Sequence, residues 1–143
     1  MAEYVYNDVQ VVQPNQSVIL RDAIPCNRGY VIHREESGIL ILRGIVNNPN
    51  GCFARYQVTF NGNIAVPEGE TVGAISVALA LDGEGISTSR AIVTPAGVGD
   101  YFNVTSTAII TVPKGCCFNV SVENVAGIPI NVQNANLVVT RIA

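Results

Sequence analysis

Four cysteines, one histidine and a few acidic turns are the residues whose types could do chemistry in this sequence. Cys26, Cys52, Cys116 and Cys117 admit three readings. A zinc site needs Cys-x-x-Cys-like spacing or histidine partners. Here the only histidine is His33, and Cys116 and Cys117 are adjacent, which on a strand sends them to opposite faces. A disulfide such as Cys26–Cys52 is the second reading, and an origin in a reducing cytosol works against it. The third and favoured reading is four free thiols, with Cys52 and Cys116 as small core residues beside Tyr56 and Phe118. A nucleophilic Cys–His pair would have to join His33 to Cys26 or Cys117, and no local signature supports it.

The acidic residues are no more specific. Asp82-Gly83-Glu84-Gly85 lacks the further acidic spacing of an EF-hand and the Lys-Ser/Thr of a P-loop, so it reads as a turn between strands. Glu35 and Glu36 have no partner carboxylate at a defined distance. The tripeptides at Asn15, Asn103 and Asn119 match the glycosylation pattern, but in an Asn-rich chain without an export signal chance matches are the expectation. The sequence therefore predicts no enzyme, no cofactor and no metal.

What must position these residues is a β framework. The chain has 143 residues, enough for one domain with a real core. Its net charge of −3 argues against nucleic acid as the main partner, because phosphate binding needs a basic patch. Hydrophobic residues make up 48% and charged ones 13%, and the mean hydropathy is +0.33. So apolar a chain buries an unusual share of its surface or shares surface with copies of itself. The apolar stretch from Val72 to Leu81 is too short to span a bilayer and contains Ser76, so no membrane insertion is expected. The opening Met1-Ala2-Glu3-Tyr4 shows no secretory pattern, and synthesis in a cytoplasm is expected.

Val and Ile dominate the apolar set, and short strand-like runs alternate with turn residues. The runs are Asp8–Val12, Ser17–Arg21, Gly29–Arg34, Gly38–Val46, Cys52–Phe60, Thr71–Leu81, Ile86–Val93, Tyr101–Val112, Cys116–Asn124 and Asn134–Ile142, with a short piece near Ile128–Val132. Asn47-Asn48-Pro49-Asn50-Gly51 is a loop, and Asn61-Gly62 is expected to break or bulge the strand before it. Val66-Pro67-Glu68-Gly69 and Val112-Pro113-Lys114-Gly115 read as turns leading into strands. The sequence predicts an all-β fold, an antiparallel β-sandwich of jelly-roll type. Residues 8–143 form its single domain, and Met1–Asn7 a flexible arm.

Most strands alternate one apolar and one wet face. Cys52, Ala54, Tyr56, Val58 and Phe60 oppose Phe53, Arg55, Gln57 and Thr59. Phe102, Val104, Ala108, Ile110 and Val112 oppose Asn103, Thr105, Thr107 and Thr111. Cys116, Phe118, Val120 and Val122 oppose Asn119, Ser121 and Glu123. Two strands break the rule. Gly38–Val46 is apolar on both faces apart from Arg43, and Thr71–Leu81 opposes its bulky face with Val72, Ala74, Ser76, Ala78 and Ala80. A strand apolar on both sides needs cover on both. The small face, together with Leu40 and Leu42 on the other strand, is the expected contact between copies.

Four segments carry a family resemblance: Cys26–Arg34, Val66–Asp82, Val112–Cys117, and the ending Asn131–Ala143. They resemble small proteins encoded among the structural genes of phages and prophages of Gram-positive gut bacteria, some described as head-fibre or decoration proteins. The strand order resembles the tumour-necrosis-factor-like jelly roll, which forms trimers at the tips of fibres and of bacterial collagen-like stalks. No Gly-X-Y repeat precedes the domain, which favours a stand-alone particle protein over a filament tip. The resemblance implies a homotrimer on a virion surface, with the major capsid protein and a host-surface glycan or receptor as further partners. The competing class is a receptor- or glycan-binding trimeric module of a bacterial or phage surface. Sugar rings usually stack on exposed aromatics, and a 6% aromatic content without Trp weighs against the glycan.

Overall fold

The computed structural model describes residues 2–24, 31–33, 38–44 and 53–142. Twelve strands are present among them: β1 (Ala2–Tyr6), β2 (Gln10–Val12), β3 (Asp22–Ile24), β4 (Val31–His33), β5 (Leu40–Arg43), β6 (Phe53–Ala65), β7 (Ile75–Leu81), β8 (Glu84–Gly85), β9 (Ala91–Val93), β10 (Phe102–Pro113), β11 (Cys117–Asn124) and β12 (Ile130–Arg141). They form two antiparallel sheets. Sheet A runs β10-β6-β12-β1-β3, with β2 also on β12; sheet B runs β4-β5-β11-β7-β8, with β9 also on β7. The long strands β5, β6, β7, β10, β11 and β12 alternate between sheets B and A along the chain. That alternation is the jelly-roll connectivity, and the expected all-β sandwich is what the chain forms.

The core lies between the sheets, where the in-pointing residues of each strand meet. Ala54, Tyr56, Val58 and Phe60 of β6 are fully buried against residues of sheet B such as Leu40, Leu42, Val77 and Leu79. In β10, Val104, Ile110 and Val112 point inward. Asn124, at the end of β11, is also fully buried. Its amide nitrogen donates to the carbonyl oxygens of Val12 (3.0 Å) and Ile128 (2.9 Å), and its Oδ1 accepts from the Ala126 amide (2.8 Å). The bonds offset the desolvation cost of this buried amide and pin three chain segments together.

Several expectations are corrected. Met1–Asn7 was expected as a flexible arm, yet Ala2–Tyr6 is a strand held between β12 and β3, with Tyr4 fully buried. The alternation of Tyr4 and Tyr6 with Glu3 and Val5 is that of a half-buried strand. Asn61-Gly62 does not break β6, which stays paired to β10 through Gly62↔Val104. The Phe60 ring lies over Gly62, so the residue lacking a side chain makes room for an aromatic rather than for a turn. Residues 17–21 contribute a single bridge, Ser17↔Glu123, instead of a strand. The pieces near Ile128–Val132 and Asn134–Ile142 join into one strand across an irregularity between Gln133 and Asn136, where Asn134 takes a φ of 57°. The segment 86–93 begins with a 3-10 turn, Ser87–Ser89, before β9. Ser89 Oγ accepts from the Leu79 amide at 3.0 Å, which replaces a ladder bond by a side chain.

Candidate interaction surface

The outward side of sheet A is the broad exposed face of the sandwich. Along β6 the outward residues are Phe53, Arg55, Gln57, Thr59, Asn61 and Asn63, and β10 places its own outward residues beside them. The register sets Thr111 opposite Arg55, Ile109 opposite Gln57, Thr107 opposite Thr59 and Asn103 opposite Asn63. The face is graded from one end to the other. At the start of β6, Ile109 is 62% exposed, Ile142 47% and Phe53 39%. The Arg55 guanidinium sits over the Phe53 ring, 4.6 Å from its centroid, and the Ile142 amide donates to the Arg55 carbonyl oxygen at 2.9 Å. An apolar group with a cation stacked on an aromatic ring suits a protein contact.

In the middle, the Thr59 and Thr107 hydroxyls meet at 3.1 Å. At the far end the face is all amide and hydroxyl. Asn103 Nδ2 donates to Asn61 Oδ1 (2.8 Å) and Asn63 Oδ1 (3.1 Å), Thr105 Oγ1 donates to Asn61 Oδ1 (3.3 Å), and Asn63 Nδ2 donates to Asn134 Oδ1 (3.2 Å). These bonds cross three adjacent strands, β10, β6 and β12.

The outward side of sheet B is different. Ser76, Ala78 and Ala80 of β7 are buried within the single chain. Ala80 and Ala78 lie opposite Ser121 and Glu123 of β11. Arg90 reaches across this end, with Nε donating to Ser76 Oγ (3.2 Å) and Nη2 to the Val125 carbonyl oxygen (3.3 Å). Ser121 and Glu123 were expected on a wet face, and both are buried. Burial pushes the Glu123 carboxyl up from its ordinary value of 4.5.

The expected contact residues are thus not one surface. Val72 and Ala74 precede β7 and are exposed, while Ser76, Ala78 and Ala80 are closed in. Leu40 and Leu42 are fully buried in the chain's own core, opposite Val120 and Phe118. They point inward because β5 alternates, and its outward residues are Ile41 and Arg43.

Cys116 is not a core thiol. β11 starts at Cys117, so Cys116 falls in the turn after Pro113, and both thiols are free and exposed. Cys26 and Cys52, the expected alternative disulfide between them, and Glu35 and Glu36 lie outside the described residues. His33 ends β4 opposite Leu40. The acidic turn is a hairpin: Asp82 and Gly83 take φ of 51° and 84°, and Asp82 Oδ1 accepts from the Asn119 amide at 2.9 Å. Among the described residues, no three His, Cys, Asp or Glu side chains gather where they could hold a metal ion.

The polar character of the β6 and β10 faces could be read from alternation. Their meeting could not, because a strand's own sequence does not state which residue of another strand lies opposite it.

No family model matches the sequence, and no curated protein is significantly similar to it in sequence. Solved structures share its fold. The globular domain of zebrafish complement 1qA protein superposes with a TM-score of 0.68 over 99% of this chain and 97% of its own, at 16% identity. Eiger TNF from S. frugiperda superposes with a TM-score of 0.72 over 100% of this chain and 92% of its own, at 10% identity. The fold is a jelly roll of the C1q and tumour-necrosis-factor type.

Proposed function

We propose that this chain is a non-catalytic jelly-roll domain that assembles as a homotrimer and serves on the surface of a phage particle, as a head fibre or capsid decoration, after synthesis in the bacterial cytoplasm. The observation that carries self-association is the end of the outward face of sheet A where Ile109 of β10, Phe53 of β6 and Ile142 after β12 stay 62%, 39% and 47% exposed. Large apolar side chains left exposed on an otherwise polar sheet face suit a contact, and full burial of each contributes roughly 1.5–3 kcal/mol. The number three comes from the tumour-necrosis-factor-like strand order, which the two superpositions support at the level of fold. The particle role rests on the sequence resemblance.

Sedimentation equilibrium of the whole chain tests the assembly. A species near three times 15.1 kDa supports the trimer, and a stable 15.1 kDa species across micromolar concentrations overturns it. Co-sedimentation with assembled capsids tests the particle role separately: pelleting with capsids supports it, and protein left wholly in the supernatant overturns it.

A further inference from the structure

From the polar end of the same sheet we infer a binding site for a neutral saccharide, built on Asn61, Asn63, Asn103 and Asn134 with Tyr101 at its border. A carboxamide offers two donors on nitrogen and two acceptor positions on oxygen. Asn103 spends both donors on Asn61 and Asn63, which leaves its Oδ1 as a free acceptor among the described residues. Asn61 Oδ1 accepts twice, from Asn103 and Thr105, which leaves its Nδ2 with both donors. Asn134 Oδ1 accepts from Asn63, so its Nδ2 is likewise a free donor.

The internal bonds therefore fix the orientation of each amide and present donor, acceptor and donor groups on one rigid face. Each hydroxyl of a sugar both donates and accepts, so vicinal hydroxyls match this pattern. Preorganisation matters here, because amides already held by one another have less ordering cost left at binding. The array carries no formal charge, which suits a neutral saccharide better than a nucleotide or an acidic polymer. Hydrogen bonds alone exchange with water at little gain, and sugar sites add a ring for the apolar face of the pyranose. Tyr101, two residues before Asn103 and so of the same parity, leaves 38% of its surface exposed. Asn61 lies eight residues along β6 from Phe53, about 27 Å at the usual rise, so the site is separate from the apolar contact at the other end. The inference does not depend on the trimer.

The test is titration of the full chain with neutral mono- and oligosaccharides, read by calorimetry and by array, against Asn103→Ala, Asn61→Ala and Tyr101→Ala. Saturable binding of a neutral saccharide that weakens at least tenfold in Asn103→Ala and in Asn61→Ala is expected. Circular dichroism and sedimentation of each variant should match the parent. Absence of binding to any neutral saccharide at millimolar concentration overturns the site. So does binding that all three substitutions leave unchanged. A trimer that binds no sugar refutes this site alone, whereas a sugar-binding monomer refutes only the proposed assembly.

Discussion

The phenol hydroxyl of Tyr56 donates to the carbonyl oxygen of Arg43 at 2.5 Å, a bond that crosses the sandwich from β6 in sheet A to the end of β5 in sheet B. The ring is fully buried, so the hydroxyl would be costly there without a partner. Tyr56→Phe keeps the packing and removes the bond. It is expected to lower stability by about 1–2 kcal/mol. Urea denaturation checks this: the midpoint should fall while the slope stays that of the parent.

Ile109 points away from the core, so its side chain is not required for the fold of one chain. Ile109→Asp would bury a carboxylate in the proposed contact, where the cation on the same face, Arg55, is already stacked on Phe53. The expected outcome is a folded chain sedimenting near 15.1 kDa, with the parent's circular dichroism. A trimer that persists in this variant at low micromolar concentration would remove the apolar end of sheet A from the interface.

Much of this architecture was legible because alternation is a local signal. The inward sets Ala54–Phe60 and Val104–Val112 follow from period two alone. What failed was whatever depends on neighbours. Ser121 and Glu123 read as wet from their chemistry, but they occupy a central strand between β5 and β7 and are buried there. Leu40 and Leu42 read as one of two equivalent faces of an apolar strand, and nothing local says which face meets the core. Cys116 read as a strand residue because the Lys114-Gly115 turn, with Gly115 at φ 74°, was placed one residue too early. The amide array had no signature at all, since Asn61, Asn103 and Asn134 come together only through register.

Glu123 gives the fold a pH dependence whose sign follows from its burial. Its carboxyl is raised above the ordinary 4.5 by desolvation, so the folded chain holds this proton more tightly than the unfolded chain does. The unfolded state then binds fewer protons, and the contribution to stability declines as pH rises from the unfolded value through the raised folded one. Above that window the loss is complete and constant. Glu123→Gln removes the titration. Its stability measured against the parent's should therefore be higher at neutral pH, with the difference shrinking as the pH falls through the raised folded value toward 4.5 and constant below that. A difference that stays flat across that range would show that the carboxyl is not desolvated.

The thiols separate by exposure. Cys116 and Cys117 are exposed, so both should alkylate within minutes under native conditions, as peptide mapping by mass spectrometry would report. Under denaturing conditions without reductant, four labels are expected, because the cytoplasmic synthesis proposed here favours reduced thiols. Two labels in that second experiment would establish a disulfide.

Gly38 and Gly44 bracket β5, and neither position has room for a side chain. A Cβ on Gly38 would run into the carbonyl oxygen of Val18, and a Cβ on Gly44 into that of Pro113. Both obstacles are backbone, so no rotamer change can clear them. Gly44 also donates its amide to the Cys116 carbonyl oxygen at 2.9 Å, which ties β5 to the turn between β10 and β11. To fit alanine, the chain must move this turn or give up the bond. Gly44→Ala is expected to cost about 3 kcal/mol or more, at the upper end of what overpacking does. Gly83→Ala provides the contrast. Its Cβ meets nothing within 4 Å, and the cost comes only from the positive φ of 84°, roughly 1 kcal/mol. Thermal unfolding of the two variants should rank Gly44→Ala well below Gly83→Ala, and equal melting temperatures would mean that the end of β5 yields more easily than its contacts imply.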